Sequence, residues 1–196
     1  SACGKTTLLE RVHLEMDKKG LKVDTMTERN TIRDLIDKLQ MGNIIRSGLP
    51  PLTESLFWTM NQAYRVETEL SEKQGDIVLI DRYIYTPITY QYLFLRGEGA
   101  TLEDVSDYIS KPFGISLPVP DLSLVLTAPL EVLKQRFRER EKREMGHNER
   151  ELTEHALEIY EKLKERFKNY RLLNADRSID EVYRETEQII KDQGII

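Results

Sequence analysis

The 196-residue chain has a single cysteine, Cys3, and no apolar run long enough to span a membrane. One thiol excludes a disulfide framework and a zinc site built from cysteines. These absences, with no signal-peptide pattern, favour a protein of the reducing cytoplasm. The formal net charge of −5 argues against a general surface for nucleic acids or anionic membranes.

The composition that remains is typical of a soluble globular protein. Hydrophobic residues make up 39% and charged residues 32% of the chain, a balance that argues against disorder. A chain of this length is large enough to bury a proper core. We therefore expect one domain over residues 1–196.

The first informative motif is Gly4-Lys5-Thr6-Thr7, the second half of the phosphate-binding pattern G-x-x-x-x-G-K-[ST]. In such a loop, backbone N–H groups surround phosphate oxygens, the lysine reaches the β- and γ-phosphates, and the hydroxyl holds Mg²⁺. The first glycine and the strand that feeds the loop are expected before Ser1. Taken alone, Gly4-Lys5-Thr6 could equally be a chance tripeptide at the start of a helix. Cys3 is interpreted as a small side chain that fills the loop.

The following segments alternate between helical and extended patterns. Apolar residues recur at helical spacing over residues 6–19, residues 21–27 predict a strand, and residues 30–40 predict a second helix. A strand at 77–80, with residues Ile77-Val78-Leu79-Ile80, is expected to be covered on both faces. The alternation predicts an α/β layered domain with a parallel sheet.

A long helix is predicted between these strands, over residues 52–74, after Pro50-Pro51. Trp58 and Gln62 are four residues apart and should project from one side. Core packing is an equally good interpretation of Trp58. The predicted inner face of this helix is Leu56, Met60, Ala63, Tyr64 and Leu70.

Asp81 and Arg82 directly follow the strand at 77–80. Open α/β sheets bind ligands at the carboxyl ends of their strands. An aspartate there can hold Mg²⁺ and an arginine can clamp a phosphate. The alternative is a simple ion pair at a strand end.

The second half of the chain continues the alternation. A helix from Pro129 places Arg136, Arg140 and Arg143 on one face, which suggests an arginine-bearing lid over a nucleotide at about 141–152. The alternative is a solvated, salt-bridged helix. Further helices are predicted over 83–95, after Thr101, and over 154–170 and 179–190, with strands at 122–126 and 171–174.

The chain resembles the thymidylate kinase family in motifs that occur in the family's order and near its spacing. They are Gly4-Lys5-Thr6-Thr7, Glu28-Arg29, Asp81-Arg82-Tyr83 with residues 86–91, Pro120-Asp121-Leu122, and Arg136 with Arg140. The resemblance implies transfer of the γ-phosphate of ATP to dTMP, with Mg²⁺, in a homodimer. It also implies a three-layer P-loop NTPase fold, whose five-stranded parallel sheet of order 2-3-1-4-5 has helices on both faces and a helical lid.

The resemblance also implies roles for individual residues. Lys5 would bind the ATP phosphates, Trp58 would stack on the acceptor base, and the lid would supply an arginine that Ser1-Ala2-Cys3 lacks. The implied ATP-binding residues are Ser1, Ala2, Cys3, Gly4, Lys5, Thr6, Thr7, Arg136, Arg140 and Asp176. The implied acceptor-binding residues are Glu28, Arg29, Trp58, Gln62, Arg82, Tyr90 and Gln91. The implied catalytic residues are Lys5, Asp81, Arg82, Arg143 and Arg150, and the implied metal ligands are Thr6 and Asp81.

Three positions depart from the family pattern. Ser1 stands where an acidic residue is usual, Gln62 where an arginine reads the acceptor base, and Thr127 where an acidic residue follows the fourth strand. A neutral amide offers both a donor and an acceptor, so Gln62 leaves the preferred base open. Two other functions stay open. One is a kinase of a nucleoside or other small acceptor, and the other is a regulatory module that binds nucleotides without turnover.

Overall fold

The structure is a computed structural model that describes residues 3–27, 36 and 49–196. These residues form helices and parallel strands, which confirms the predicted α/β class. Contacts divide the chain into two compact units. We call residues 1–20 with 119–196 the terminal unit and residues 21–118 the central unit. The predicted helix at 30–40 lies outside the described residues, apart from residue 36, which is helical.

Seven helices and four strands of the described residues position the site. In chain order they are α1 (Lys5–Lys18), β1 (Val23–Thr27), α2 (Pro51–Thr68), β2 (Ile77–Asp81), α3 (Tyr85–Leu95), α4 (Leu102–Ser110), β3 (Ser123–Thr127), α5 (Leu130–Glu141), α6 (His147–Arg166), β4 (Tyr170–Asn174) and α7 (Ile179–Asp192). Short 3-10 helices lie at Leu70–Glu72, Arg96–Glu98 and Pro112–Gly114.

Each unit contains one pair of parallel strands. In the central unit β1 pairs with β2, so that Thr27 lies opposite Asp81 at their carboxyl ends. In the terminal unit β3 pairs with β4, and Thr127 lies opposite Asn174. The parallel direction of both pairs confirms the prediction from the alternating pattern. The five-stranded order stays a prediction.

All five residues of β2 are half-buried, and β1 is its neighbour among the described residues. The apolar run thus predicted the strand correctly. Its coverage on both faces stays a prediction.

The predicted inner face of α2 is wrong in part. Its members Ala63, Tyr64 and Leu70 are half-buried, but the other two are exposed. Leu56 and Met60 are 48% and 39% exposed, and Leu52, one turn earlier, is 63% exposed. The buried residues of α2 are instead mostly polar: Ser55, Phe57, Thr59, Asn61, Gln62 and Arg65. Helical spacing identifies an apolar stripe, but it does not say which stripe packs against the neighbouring elements. Here α2 turns its polar face toward the interior and packs against α3 and α4.

Two helix boundaries matter for the predicted lid. Helix α5 ends at Glu141, and Lys142 has a left-handed φ of 56° that terminates it. Arg143 therefore lies beyond the helix, so the prediction that it shares a helical face with Arg136 and Arg140 is wrong. Helix α6 begins at His147, seven residues earlier than predicted, and ends at Arg166.

Side-chain caps fix the starts of α4 and α7. At α4, Thr101 Oγ1 accepts a 3.1 Å hydrogen bond from Asp104 N, and Asp104 Oδ2 accepts one of 2.9 Å from Thr101 N. The same reciprocal pair joins Ser178 and Glu181 at α7. Each pair satisfies N–H groups that a helix start leaves without a partner, which confirms the predicted cap at Thr101. Among the described residues, no helix is both long and apolar enough to cross a bilayer.

Candidate active site

A small cavity of about 190 Å³ in the central unit lies between α2, the carboxyl end of β2 and α3. Its lining residues are Glu54, Trp58, Arg82, Thr86, Pro87, Tyr90, Gln91 and Phe94. Ligand clefts usually enclose about 300–1,000 Å³, so this cavity has room for one ring system, and the other parts of a nucleotide would extend beyond it. Four residues predicted to bind the acceptor, Trp58, Arg82, Tyr90 and Gln91, thus come together here.

The aromatic wall of the cavity is anchored within α2. The Trp58 Nε1 atom donates a 3.3 Å hydrogen bond to Glu54 Oε1, one turn earlier in the helix. The Phe57 and Trp58 rings meet edge to face, with centroids 5.9 Å apart. These contacts hold the half-buried indole at the wall of the cavity. Glu54 and Phe94 were missed by the sequence analysis, although the four-residue spacing of Glu54 and Trp58 could have revealed the pair.

Arg82 reaches the cavity from the carboxyl end of β2. Its φ of 58° lies in the left-handed region, which costs a residue with a Cβ about 1–2 kcal/mol. Asp81, the last residue of β2, and Arg82 are both half-buried. Non-glycine residues in this conformation are frequent at functional sites, because the surroundings must hold them there.

Two residues of the predicted acceptor set, Gln62 and Gln91, have buried amide atoms without a hydrogen-bond partner among the described residues. Gln62 is fully buried, and neither polar atom of its amide has a hydrogen-bond partner among the described residues. It does not line the cavity, although Trp58 one turn earlier does. Gln91 lines the cavity, and its buried Oε1 also lacks a partner among the described residues. Glu28 and Arg29 lie outside the described residues.

Tyr83 does not provide a base at this site. It is buried next to Arg82, and burial raises the pKa of its phenol to about 12. The phenol therefore stays protonated at neutral pH. A proton acceptor at the strand end would have to be a carboxylate or the substrate itself.

The phosphate-loop residues lie in the terminal unit, at the start of α1. Gly4 precedes the helix with a left-handed φ of 79°, which glycine adopts without strain. The first helical hydrogen bond runs from Leu8 N to Gly4 O at 3.0 Å, so the N–H groups before Leu8 point out of the helix start. Lys5 is half-buried and Thr6 is exposed. Gly4-Lys5-Thr6-Thr7 therefore forms the start of a helix, whose first N–H groups have no partner within the helix. Ser1 and Ala2 lie outside the described residues.

The other loop positions are open to solvent or nearly so. Thr7 is exposed, and Cys3 is half-buried with a free thiol. Helix N-termini favour anions because their N–H groups and the helix dipole both carry partial positive charge. The start of α1 can therefore receive a phosphate group.

Three of the predicted lid arginines, Arg140, Arg143 and Arg150, have carboxylate partners. Arg143 makes two 2.7 Å hydrogen bonds to the carboxylate of Glu149, and its Cζ lies 4.8 Å from the ring centroid of Phe137. Arg140 Nε pairs with Glu141 at 2.6 Å, and Arg150 Nε with Glu154 at 3.1 Å. Exposed pairs of this kind contribute little to stability, because solvent and salt screen their charges. An anionic ligand can therefore replace these partners at small cost.

Glu149 connects the lid arginine to the start of α6. Hydrogen bonds from Arg143 and, secondly, from the backbone N–H of Gly146 lower the pKa of this carboxyl to about 2. The N–H bond measures 2.9 Å and occupies a donor that the helix start leaves free. The Glu149 carboxylate thus holds the Arg143 side chain and also caps the first turn of α6.

The remaining predicted ATP-binding residues, Arg136 and Asp176, also lie in the terminal unit. Arg136 is half-buried on α5, and Asp176 is exposed just after β4. The backbone N–H of Asp176 donates a 2.8 Å hydrogen bond to Asn174 Oδ1, which forms a turn at the end of the strand. The candidate donor residues are therefore in one unit and the candidate acceptor residues in the other.

Similarity to known proteins covers nearly the whole chain. A sequence model of the family described as thymidylate kinase matches residues 2–186. The thymidylate kinase of Staphylococcus epidermidis is 29% identical in an alignment of 194 positions that covers 95% of this chain and 91% of that protein. The probable thymidylate kinase of Pyrococcus abyssi is 27% identical in an alignment of 197 positions that covers 97% of this chain and 91% of that protein. The thymidylate kinase of Fervidobacterium nodosum is 23% identical in an alignment of 189 positions that covers 95% of this chain and 92% of that protein.

The family match confirms the resemblance drawn from the motifs. It spans both units, from the phosphate loop to α7. The family implies a P-loop NTPase fold, in agreement with the parallel strands and the helix start at Lys5. This chain belongs to the thymidylate kinase family.

Proposed function

We propose that this protein transfers the γ-phosphate of ATP to dTMP, giving ADP and dTDP. The observation that carries the proposal is the cavity where the Trp58 ring, the Gln91 amide and Arg82 meet. An aromatic face, an amide and a guanidinium match the three parts of an acceptor nucleotide that need recognition: base face, base edge and phosphate. The names of the relatives support dTMP as that nucleotide.

On the acceptor side, the base enters the cavity beside Trp58, and stacking there is worth about 1–3 kcal/mol. Tyr90 and Gln91 line the sugar and the base edge. Arg82 holds the monophosphate, with Arg29 as its proposed second cation. Glu28 and Gln62 complete the proposed acceptor set.

On the donor side, the N–H groups at the start of α1 and the Lys5 ammonium bind the phosphates of ATP. Arg143 and Arg150 stabilise the charge of the transition state after they leave Glu149 and Glu154. The rest of the proposed ATP site consists of Ser1, Ala2, Cys3, Gly4, Thr7, Arg136, Arg140 and Asp176.

The residues present also suit Mg²⁺. Thr6 offers an exposed hydroxyl at the helix start, and Asp81 offers a carboxylate at the end of β2. Oxygen donors of these two kinds are those that Mg²⁺ prefers in nucleotide sites. When bound, the ion neutralises negative charge on the phosphates.

The chemistry needs no strong base. The second pKa of a phosphate monoester is about 6, so the acceptor is largely dianionic at neutral pH and is itself the nucleophile. The protein orients this nucleophile with Arg82 and the donor with Lys5. Positioning and charge neutralisation then supply most of the rate enhancement.

The finer architecture is part of the proposal. The pairs β1–β2 and β3–β4 correspond to neighbours 2-3 and 4-5 of a five-stranded sheet of order 2-3-1-4-5. Residues 1–196 then form one P-loop kinase domain with a lid at about 141–152. The exposed stripe of Leu52, Leu56 and Met60 on α2 suits a homodimer contact. The cytoplasm is the proposed compartment.

A comparison of dTMP with thymidine tests the proposal. We expect turnover of dTMP, and a rise of at least tenfold in its KM when Arg82→Ala removes the phosphate-binding cation. Arg96→Ala, an exposed arginine of the same unit outside the cavity, is the control. Turnover of thymidine alone, unaffected by Arg82→Ala, would show a nucleoside kinase. ATP binding without turnover of any acceptor would show a regulatory module.

A further inference from the structure

A fully buried arginine on α2 contacts the end of β2. Arg65 has 0% exposed surface and is the first in volume among the fully buried side chains. Arginine almost never lies wholly inside a protein unless hydrogen bonds compensate its charge. The groups that Arg65 contacts are therefore important for its role.

The guanidinium of Arg65 donates to two consecutive backbone carbonyls. Its Nη1 atom donates to the carbonyl oxygen of Arg82, and its Nη2 donates to that of Asp81 at 3.4 Å. The planar fork of an arginine can bind two acceptors held in a fixed relation. Arg65 thus contacts the backbone at the point where the strand ends and the cavity begins.

Arg82 has the left-handed φ of 58°, which is disfavoured for a residue with a Cβ. Such a conformation persists where neighbouring groups determine it. The hydrogen bond from Arg65 to the Arg82 carbonyl fixes the peptide group that follows this φ. The direction of the Arg82 side chain toward the cavity depends on that same backbone.

We infer that Arg65 is a positioning residue, which holds the backbone of Asp81 and Arg82 so that the Arg82 guanidinium faces the acceptor phosphate. The inference rests on the proposed function, since it assigns Arg82 to that phosphate. A second role for the same contacts is simple attachment of α2 to β2. The two roles differ in one respect: a positioning residue acts through Arg82, whereas an attachment acts on stability alone.

A double-mutant cycle separates these roles. Arg65→Met removes the fork and keeps an apolar stem of similar length, whereas Arg65→Lys keeps the charge but offers a single donor group. Both are made in the full chain, with and without Arg82→Ala. Thr59→Val, at another buried polar position of α2, is the control. The dissociation constants of dTMP and ATP are measured by calorimetry, together with kcat, the KM values and the melting temperature.

We expect Arg65→Met to weaken dTMP binding at least tenfold and to leave ATP binding within twofold. In the Arg82→Ala background the same change should alter dTMP binding less than twofold, because the residue through which Arg65 acts is gone. Arg65→Lys should fall between the wild type and Arg65→Met. Thr59→Val should bind dTMP like the wild type.

An equal loss of dTMP affinity in both Arg82 backgrounds would overturn the inference, and so would a folded Arg65→Met protein with unchanged affinity. If Arg65→Met does not fold, the same cycle is read from Arg65→Lys. The wild-type protein is assayed first with dTMP. No turnover by the wild type would refute the proposed function, whereas normal wild-type turnover with independent effects of Arg65 and Arg82 would refute the positioning role alone.

Discussion

Trp58 donates its indole N–H to the carboxylate of Glu54, and both side chains line the same cavity. Because Trp58 is the single tryptophan of the chain, its fluorescence reports on this cavity alone. The hydrogen bond restricts rotation of the ring, so the face offered to a ligand is fixed before binding.

Removal of this carboxylate should weaken binding of the acceptor. A hydrogen bond of this kind contributes about 0.5–1.5 kcal/mol, so we expect Glu54→Ala to raise the dTMP dissociation constant by about 2- to 10-fold. A titration that follows Trp58 emission measures the change. Glu67→Ala, an exposed glutamate on the same helix, should leave the titration unaltered. Emission that does not respond to dTMP in the wild type would contradict the assignment of the cavity.

Loss of the lid arginine should affect the chemical step. If Arg143 stabilises transition-state charge, we expect Arg143→Ala to lower kcat by about 100-fold, with a smaller change in the KM for ATP. Arg138→Ala is a matched control, because Arg138 is also exposed and pairs with Glu144 at 3.3 Å. Steady-state kinetics at saturating dTMP measure the effect. Equal loss of kcat in the two variants would show that Arg143 has no specific role in stabilising the transition state.

The Arg143–Glu149 pair also predicts a pH dependence of stability. The folded protein lowers the pKa of Glu149 from its ordinary 4.5 to about 2. This carboxylate therefore stabilises the fold fully above pH 4.5, and its contribution disappears as the pH falls toward 2. We expect wild type and Glu149→Gln to differ in melting temperature at pH 6 and to converge between about pH 4.5 and 2.

Circular dichroism melts over pH 6 to 2 measure this difference. Glu161→Gln, at an exposed position on the same helix, is the control. A gap between wild type and Glu149→Gln that stays constant down to pH 2 would exclude the charged pair as its source.

Close backbone packing before β2 predicts a loss of stability. A Cβ at Gly75 would lie 2.9 Å from Lys22 O and 3.0 Å from Asp24 N, both backbone atoms that cannot move independently. We expect Gly75→Ala to destabilise the protein by about 1–3 kcal/mol in chemical denaturation. Gly97→Ala introduces a Cβ with nothing within 4 Å and should be nearly neutral or slightly stabilising. Similar stabilities of the two variants would contradict this account of Gly75.

The sequence predicted the parts of the site that depend on short motifs. Gly4-Lys5 does begin a helix, and Asp81-Arg82 does end a strand, because both patterns are local and their geometry follows from adjacent residues. The alternation of helices and strands likewise predicted the α/β class. Helix ends were less accurate, since Lys142 ends α5 through a left-handed backbone that its residue type does not announce.

The remaining features depend on packing between distant segments. The apolar stripe of α2 pointed to Leu56 and Met60 as core, yet the buried face carries Arg65, because carbonyl groups at the end of β2 accept its hydrogen bonds. No spacing rule connects Arg65 to a carbonyl 17 residues later. Such contacts require the fold to be known.

The central claim is that the acceptor is a nucleoside monophosphate and that dTMP is preferred. Transfer of ³²P from γ-labelled ATP to a panel of dTMP, dUMP, dCMP, AMP, GMP and thymidine tests it most directly. We predict that the label appears in dTDP and that dTMP has the highest kcat/KM of the panel. Absence of labelled diphosphate from every monophosphate would contradict the account.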